Sequence, residues 1–190
     1  MLNLRSLLVA GALLVGGQVS ANDFEALMGV AKDVWPEKTH LAVVCNYRDS
    51  ATRDQVQDLA LAAGSGRHIT VFDIPHGGHV GGAACLVPRY NSDFLVLLPR
   101  DRAVHDGSME ASMLIARMTR QGKPVLGTTR AAFRQGAAFV LGPNTGGELL
   151  VNTRLQGIID VILPDRARIY SRQAGLAPFG CATVTVCSAR

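Results

Sequence analysis

The apolar positions of this chain fall in short blocks, separated by polar loops and by glycine or proline stops. His40 to Asn46 (HLAVVCN), His68 to Ile74 (HITVFDI) and Phe94 to Leu98 (FLVLL) are nearly unbroken apolar runs. Such runs predict strands buried on both faces of a parallel sheet. Val125 to Thr128 (VLGT) and Ala137 to Leu141 (AAFVL) predict strands four and five. Between them the period becomes helical. Asn22 can cap a first helix, with Glu25 at the capping-box position and Phe24, Leu27, Met28, Ala31, Val34 and Trp35 at helical spacing before Pro36. Ser50 is expected to cap a second, with Val56, Leu59, Ala60 and Ala63 inward and Gly64 as its stop. Ser108 to Gln121 predicts another, with Met109, Met113 and Ala116 on one face and Gly122 at its end.

Strand–helix–strand order recurs, and the right-handed crossover rule makes consecutive strands of such units parallel. The expected fold is therefore α/β: a single doubly wound, mostly parallel sheet with flanking helices. Glu148 to Asn152 (ELLVN) adds an expected antiparallel edge hairpin with strand five. Pro75 to Gly82 (PHGGHVGG) is the least regular stretch, followed by a poorly formed helix through Tyr90. Thr153 to Ile162 predicts a helix that Pro164 breaks, and beyond Ser171 only Ala182 to Val186 (ATVTV) shows any pattern.

The first 21 residues change the picture from cytosolic to exported. Arg5 supplies a positive start, Leu7 to Val15 an apolar core, and Val19-Ser20-Ala21 a small-residue cleavage site before Asn22. The core is about half the roughly 20 residues a membrane span needs, so cleavage and release into the periplasm are expected, with residues 22–190 as one domain. No direct membrane insertion is expected after cleavage.

The net charge is +4, with Arg5 as the leader's one charge. Arginines are scattered among acids and aromatics are scarce, which argues against a nucleic-acid face. Four cysteines in an exported chain favour disulfides. Cys181 and Cys187 are close enough in sequence for a local bridge, which would leave Cys45 and Cys85 to pair.

Candidate chemistry is sparse. His76 and His79, joined by Gly77-Gly78, are weak metal candidates that Asp73, Cys85 or His105 could complete. Gly64-Ser65-Gly66 lacks the nucleophile-elbow pattern and precedes a strand instead of following one. The glycines of residues 77–82 lack the Lys-Ser/Thr ending of a phosphate loop. Asp101 and Asp106 read as solvated or capping loop acids. No catalytic residue and no cofactor is expected. What remains is the carboxyl edge of the sheet, where ligands bind in such folds. It offers Asn46, Arg48 and Ser50 after strand one, Asp101 after strand three, and Thr128 and Arg130 after strand four.

The segment from His40 to Ala60 resembles the strand–"YNPSE"–helix opening the second lobe of TrpX-like ABC solute-binding proteins. Pro99-Arg100-Asp101-Arg102 is similar to that group's "PTDN" loop. Lys123-Pro124-Val125, Gly127 and Gly136-Ala137 follow its "PV-G" and "GA", and Glu148 to Asn152 its terminal "ELVIN". Tyr47-Arg48 replaces the Pro-Ser, and Arg102 the last Asn, so Asn46 and Asp101 are the matching ligand positions. The chain is long enough for one lobe of the two.

YfiR-like periplasmic proteins are single domains of this size. They begin with a helix ending in "WP", as Trp35-Pro36 does, and end in a glycine-containing hairpin and a strand like "FEIN", approximated by Gly146 to Asn152. This resemblance implies a non-enzymatic regulator. Its partner would be the periplasmic part of an inner-membrane signalling protein such as a diguanylate cyclase. The alternative is a single-lobe binder of a small solute such as an amino acid or aromatic acid. A homodimer stays open under both.

Overall fold

The computed structural model describes residues 24–142, 145–155, 157–159 and 182–188. In chain order these form α1 (Glu25–Val34), β1 (His40–Cys45), α2 (Ser50–Ala63), β2 (His68–Asp73), α3 (Val80–Leu86), β3 (Phe94–Val96), α4 (Met109–Arg120), β4 (Val125–Gly127), α5 (Arg130–Arg134), β5 (Phe139–Val140), β6 (Leu150–Val151) and β7 (Thr183–Ser188). The strands make a seven-stranded sheet in the order β6-β5-β4-β3-β1-β2-β7. Every neighbouring pair is parallel except β5 and β6. This is the doubly wound α/β sheet with an antiparallel edge that the apolar blocks predict.

Alternation along the strands divides the core between two faces. Leu41, Val43 and Cys45 of β1 pack into the layer of α1 and α2, and Ala42 and Val44 into that of α3, α4 and α5. Trp35, at the end of α1, closes the first layer against Phe94 and Phe139, with ring centroids 6.0 and 4.9 Å away. Burying one such large side chain is worth about 1.5–3 kcal/mol, so the helix start at Phe24 and its stop at Pro36 are fixed by this packing more than by a cap.

Indeed the cap of α1 differs from expectation: Phe24 stands at the N-cap, where its side chain makes no capping hydrogen bond, and Asn22 lies outside the described residues. Asp49, not Ser50, caps α2, its carboxylate accepting the Ala51 N–H at 3.2 Å. Ser50 is its exposed first residue. Gly64 ends this helix at φ +75°, and its N–H donates to the Ala60 carbonyl. Ser108 does cap α4, accepting from the Ala111 N–H at 3.0 Å.

Helix α4 carries two apolar stripes, and the structure buries the other one. Ala111, Leu114, Ile115 and Met118 face the sheet, while Met109 and Met113 are 74% and 54% exposed. The glycine-rich stretch is more ordered than its composition suggests: Gly77–His79 form a 3-10 turn that leads straight into α3. The tail supplies a strand that the pattern barely signals. β7 pairs with β2 over six positions, from His68↔Thr183 to Asp73↔Ser188. Of the helix expected over 153–162, Thr153–Leu155 form a 3-10 turn and the end lies outside the described residues.

The pairing expected of Cys45 and Cys85 is absent, because the sheet stands between them. Cys45 is buried in the α1–α2 layer, and Cys85 is exposed on α3 across the sheet. Cys45, Cys85 and Cys187 are free thiols. Cys181 and the leader lie outside the described residues. Among the described residues no helix is long and apolar enough to cross a membrane.

Candidate functional site at the carboxyl edge of the sheet

The strand order reverses direction between β1 and β3, so the loops after these strands lead away from each other, to α2 and α4. In open parallel sheets this divergence makes the ligand crevice. Here Asp101 sits in it, 2% exposed. Its Oδ1 accepts the Asn46 N–H at 2.9 Å and the Thr52 hydroxyl at 2.9 Å. Its Oδ2 accepts the N–H groups of Ala103 and Val104 at 2.9 and 2.6 Å. Four donors satisfy both oxygens, and the loops after β1 and β3 are tied together. Gln55 adds a second tie, its Oε1 accepting the Arg100 N–H at 3.0 Å.

Around this knot lies a more exposed rim. Asn46 donates from Nδ2 to the Pro75 carbonyl at 3.3 Å and accepts the Arg48 N–H at 3.2 Å. Asp73, at the end of β2, accepts the Tyr47 N–H at 3.0 Å and Arg48 Nε at 3.3 Å. Arg102 Nε meets Asp49 at 3.3 Å. The Arg48 and Arg102 side chains are 66% and 84% exposed, so their guanidinium groups keep donors facing solvent. Beneath them the Cys45 thiol is pushed well up by burial, then by Asp101 and Asp73. It stays protonated and acts as a small apolar residue.

Thr128 and Arg130 belong to a different cluster. They follow β4, two strand spacings from β1, or about 10 Å. Thr128 is held by Asp106, whose Oδ2 accepts its N–H at 2.8 Å and its hydroxyl at 3.2 Å. Asp106 Oδ1 is buried with no hydrogen-bond partner among the described residues. Burial pushes this carboxyl up to about 6, with the Thr128 and Thr129 donors offsetting only part. Gly127 makes the space: a Cβ there would stand 3.3 Å from both Asp106 oxygens and 2.7 Å from the Ala132 Cβ. Arg130 reaches the Thr145 carbonyl at 3.3 Å and Glu148 at 3.4 Å.

Asn46, Arg48, Ser50 and Asp101 therefore share one neighbourhood, and Thr128 and Arg130 do not. Asp101 and Asp106, read from sequence as solvated or capping acids, are both buried. Asp49, Thr52 and Gln55 complete the site without having been singled out; only the Asp-Ser pair opening α2 carries a cap signal that could have found Asp49. His76 and His79 do meet, with ring centroids 4.2 Å apart. Among the described residues no group of three His, Cys, Asp or Glu side chains is placed to hold a metal ion.

No protein-family model and no curated protein matches the chain. Solved structures do. A conserved domain protein from Vibrio cholerae superposes with a TM-score of 0.64 at 14% identity, over 80% of this chain and 59% of that one. An ABC domain from Streptococcus pneumoniae, solved in complex with L-Trp, superposes with a TM-score of 0.61 at 10% identity, over 80% of this chain and 61% of that one. The chain thus spans about three-fifths of each of these proteins. At such identities the likeness is one of fold.

Proposed function

We propose that the chain is a non-enzymatic binding protein of the periplasm. It captures a small solute bearing a carboxylate, an amino acid or aromatic acid, where β1 and β3 diverge. The observation that carries this reading is the rim of Arg48 and Arg102, two exposed guanidinium groups on the loops after β1 and β3, each with one carboxylate contact among the described residues. A guanidinium binds a carboxylate in matched, two-pronged fashion. The neighbour with L-Trp supports a solute of that kind. Ser50 and the Asn46 amide are close enough in sequence to add neutral contacts.

Asp101 serves this reading as a positioning residue, since its oxygens are already filled. A YfiR-like regulator is the second reading. It is favoured by the filled oxygens of Asp101, which tie the loops after β1 and β3 together. The regulator would dock on the periplasmic part of an inner-membrane signalling protein.

Titration calorimetry of the chain lacking its leader, against amino acids and aromatic acids, tests the first reading. Arg48→Ala and Arg102→Ala should each weaken the solute that binds by about tenfold or more, the worth of one charge-assisted hydrogen bond. Absence of heat from every solute, together with co-purification of a membrane diguanylate cyclase, would replace it with the second.

A further inference from the structure

We propose that the solvent face of α4 is a self-association surface, on which a second copy of this chain docks its own α4 antiparallel. The face is a stripe. Met109, Met113, Ala116 and Arg120 follow one another at intervals of four, three and four residues, the spacing of a helix–helix seam. All four are exposed, the two methionines 74% and 54%. The stripe itself lines a groove of about 630 Å³ between α4 and α3, to which α3 contributes Val80, Gly81 and Ala84.

The stripe is complementary to itself in one direction only. With two copies antiparallel about a point between Met113 and Ala116, each Met113 faces Ala116 of the second copy, large against small. Each Met109 lies along the aliphatic stem of Arg120 of the second copy. The flanking positions then place Glu110 opposite Arg117 of the second copy, and two-fold symmetry makes that pair twice. Glu110 is the one acid of α4, and it falls where the antiparallel register needs it. A parallel arrangement would stack Arg120 on Arg120 and leave Glu110 without a cation.

Helix α3 supplies an independent observation. Gly81 and Gly82 disfavour a helix, yet a Cβ at either would meet nothing within 4 Å. Among the described residues nothing packs where those Cβ atoms would stand, whereas a second helix lying along the groove would call for glycine there.

Sedimentation equilibrium of the chain without its leader, under reducing conditions so that Cys85 cannot cross-link, tests this. A dimer is expected. Glu110→Arg alone and Arg117→Glu alone should each dissociate it by at least tenfold, because each homodimer then holds two like-charge pairs. An equimolar mixture of the two variants should restore dimers, since both pairs are attractive in the heterodimer. Met113→Glu and Gly81→Leu, at solvent-facing positions, should give folded monomers by circular dichroism, and they carry the test if a charge variant misfolds. A wild-type monomer at about 100 μM, where even a Kd of about 10 μM would leave most of the chain dimeric, overturns the proposal. So does a dimer unmoved by these substitutions.

Discussion

Two buried aspartates hold the carboxyl edge, and they do it on opposite terms. Asp101, between β1 and β3, receives four donors on two oxygens. Asp106, beneath β4, receives the Thr128 N–H and hydroxyl on Oδ2, and its Oδ1 has no hydrogen-bond partner within reach among the described residues. The difference follows from what surrounds each. Asp101 is ringed by a tight loop whose own N–H groups turn inward. Asp106 lies under a glycine and the short helix α5, where little but Thr128 and Thr129 can donate. A carboxylate with both oxygens bonded ties its loops together. One with half its donors is held against its preference for water, and its raised pKa records that.

The largest effect is expected at Asp101. Asp101→Ala strands three backbone N–H groups and a threonine hydroxyl in a buried loop, at about 1–3 kcal/mol for each group that water cannot reach. We expect a loss of about 3 kcal/mol or more in urea denaturation. Asp101→Asn should cost nearly as much, because the new amide NH₂ would face donors. A loss below about 1 kcal/mol for the alanine variant would mean that the loops after β1 and β3 are held by something else.

Gly127→Ala comes next and probes the other aspartate from below. The added methyl would press on Ala132 Cβ at 2.7 Å and on both Asp106 oxygens, so a cost of about 1–3 kcal/mol is expected from overpacking. Thermal denaturation reads it. An unchanged midpoint would show that α5 yields easily, and that Asp106 is not confined as its burial suggests.

Asp106→Asn separates the two aspartates by pH. A carboxyl whose folded pKa is about 6, against 3.8 ordinarily, binds more protons folded than unfolded between about pH 4 and 6. Stability from this group is therefore greatest below pH 4, declines as pH rises through 6, and is flat above, with a swing of about 2–3 kcal/mol. His40 acts oppositely: burial and then His68 lower its pKa, so its contribution rises with pH toward 6.5. The measurement is thus the difference between wild type and Asp106→Asn at pH 4.5 and 7.5. The wild type should lose stability relative to the variant as pH rises, and a difference that does not change with pH would refute the half-satisfied carboxyl.

The fold was legible because its strands are written as apolar runs that no helix period fits. The site was legible only as an edge. Asn46, Arg48 and Ser50 follow a visible strand, so their neighbourhood was predictable. A loop acid gives no sign of its burial: Asp101 and Asp106 look alike in sequence, and what distinguishes them is the inward turn of the Ala103 and Val104 N–H groups and the Thr52 hydroxyl from α2. Helix α4 shows the same limit, since both its stripes are apolar and helical spacing does not say which meets the sheet. β7 was faint because an edge strand buries little, and its alternating threonines and valines carry a weaker signal than a central run.

The smallest effect should come from the rim. Arg102 pairs with Asp49 while 84% exposed, and such pairs are worth about 0–1 kcal/mol because water screens them and two long side chains must be ordered. Asp49 keeps its capping bond to the Ala51 N–H when Arg102 is removed, so the helix start is undisturbed. Arg102→Ala should therefore shift stability by no more than about 0.5 kcal/mol in urea, far less than either aspartate. This is the behaviour a recognition group needs, since an arginine already committed to the fold cannot turn to a solute without cost. A loss above about 1 kcal/mol would place Arg102 with Asp101 as part of the loop's structure, and the rim would then no longer support solute capture.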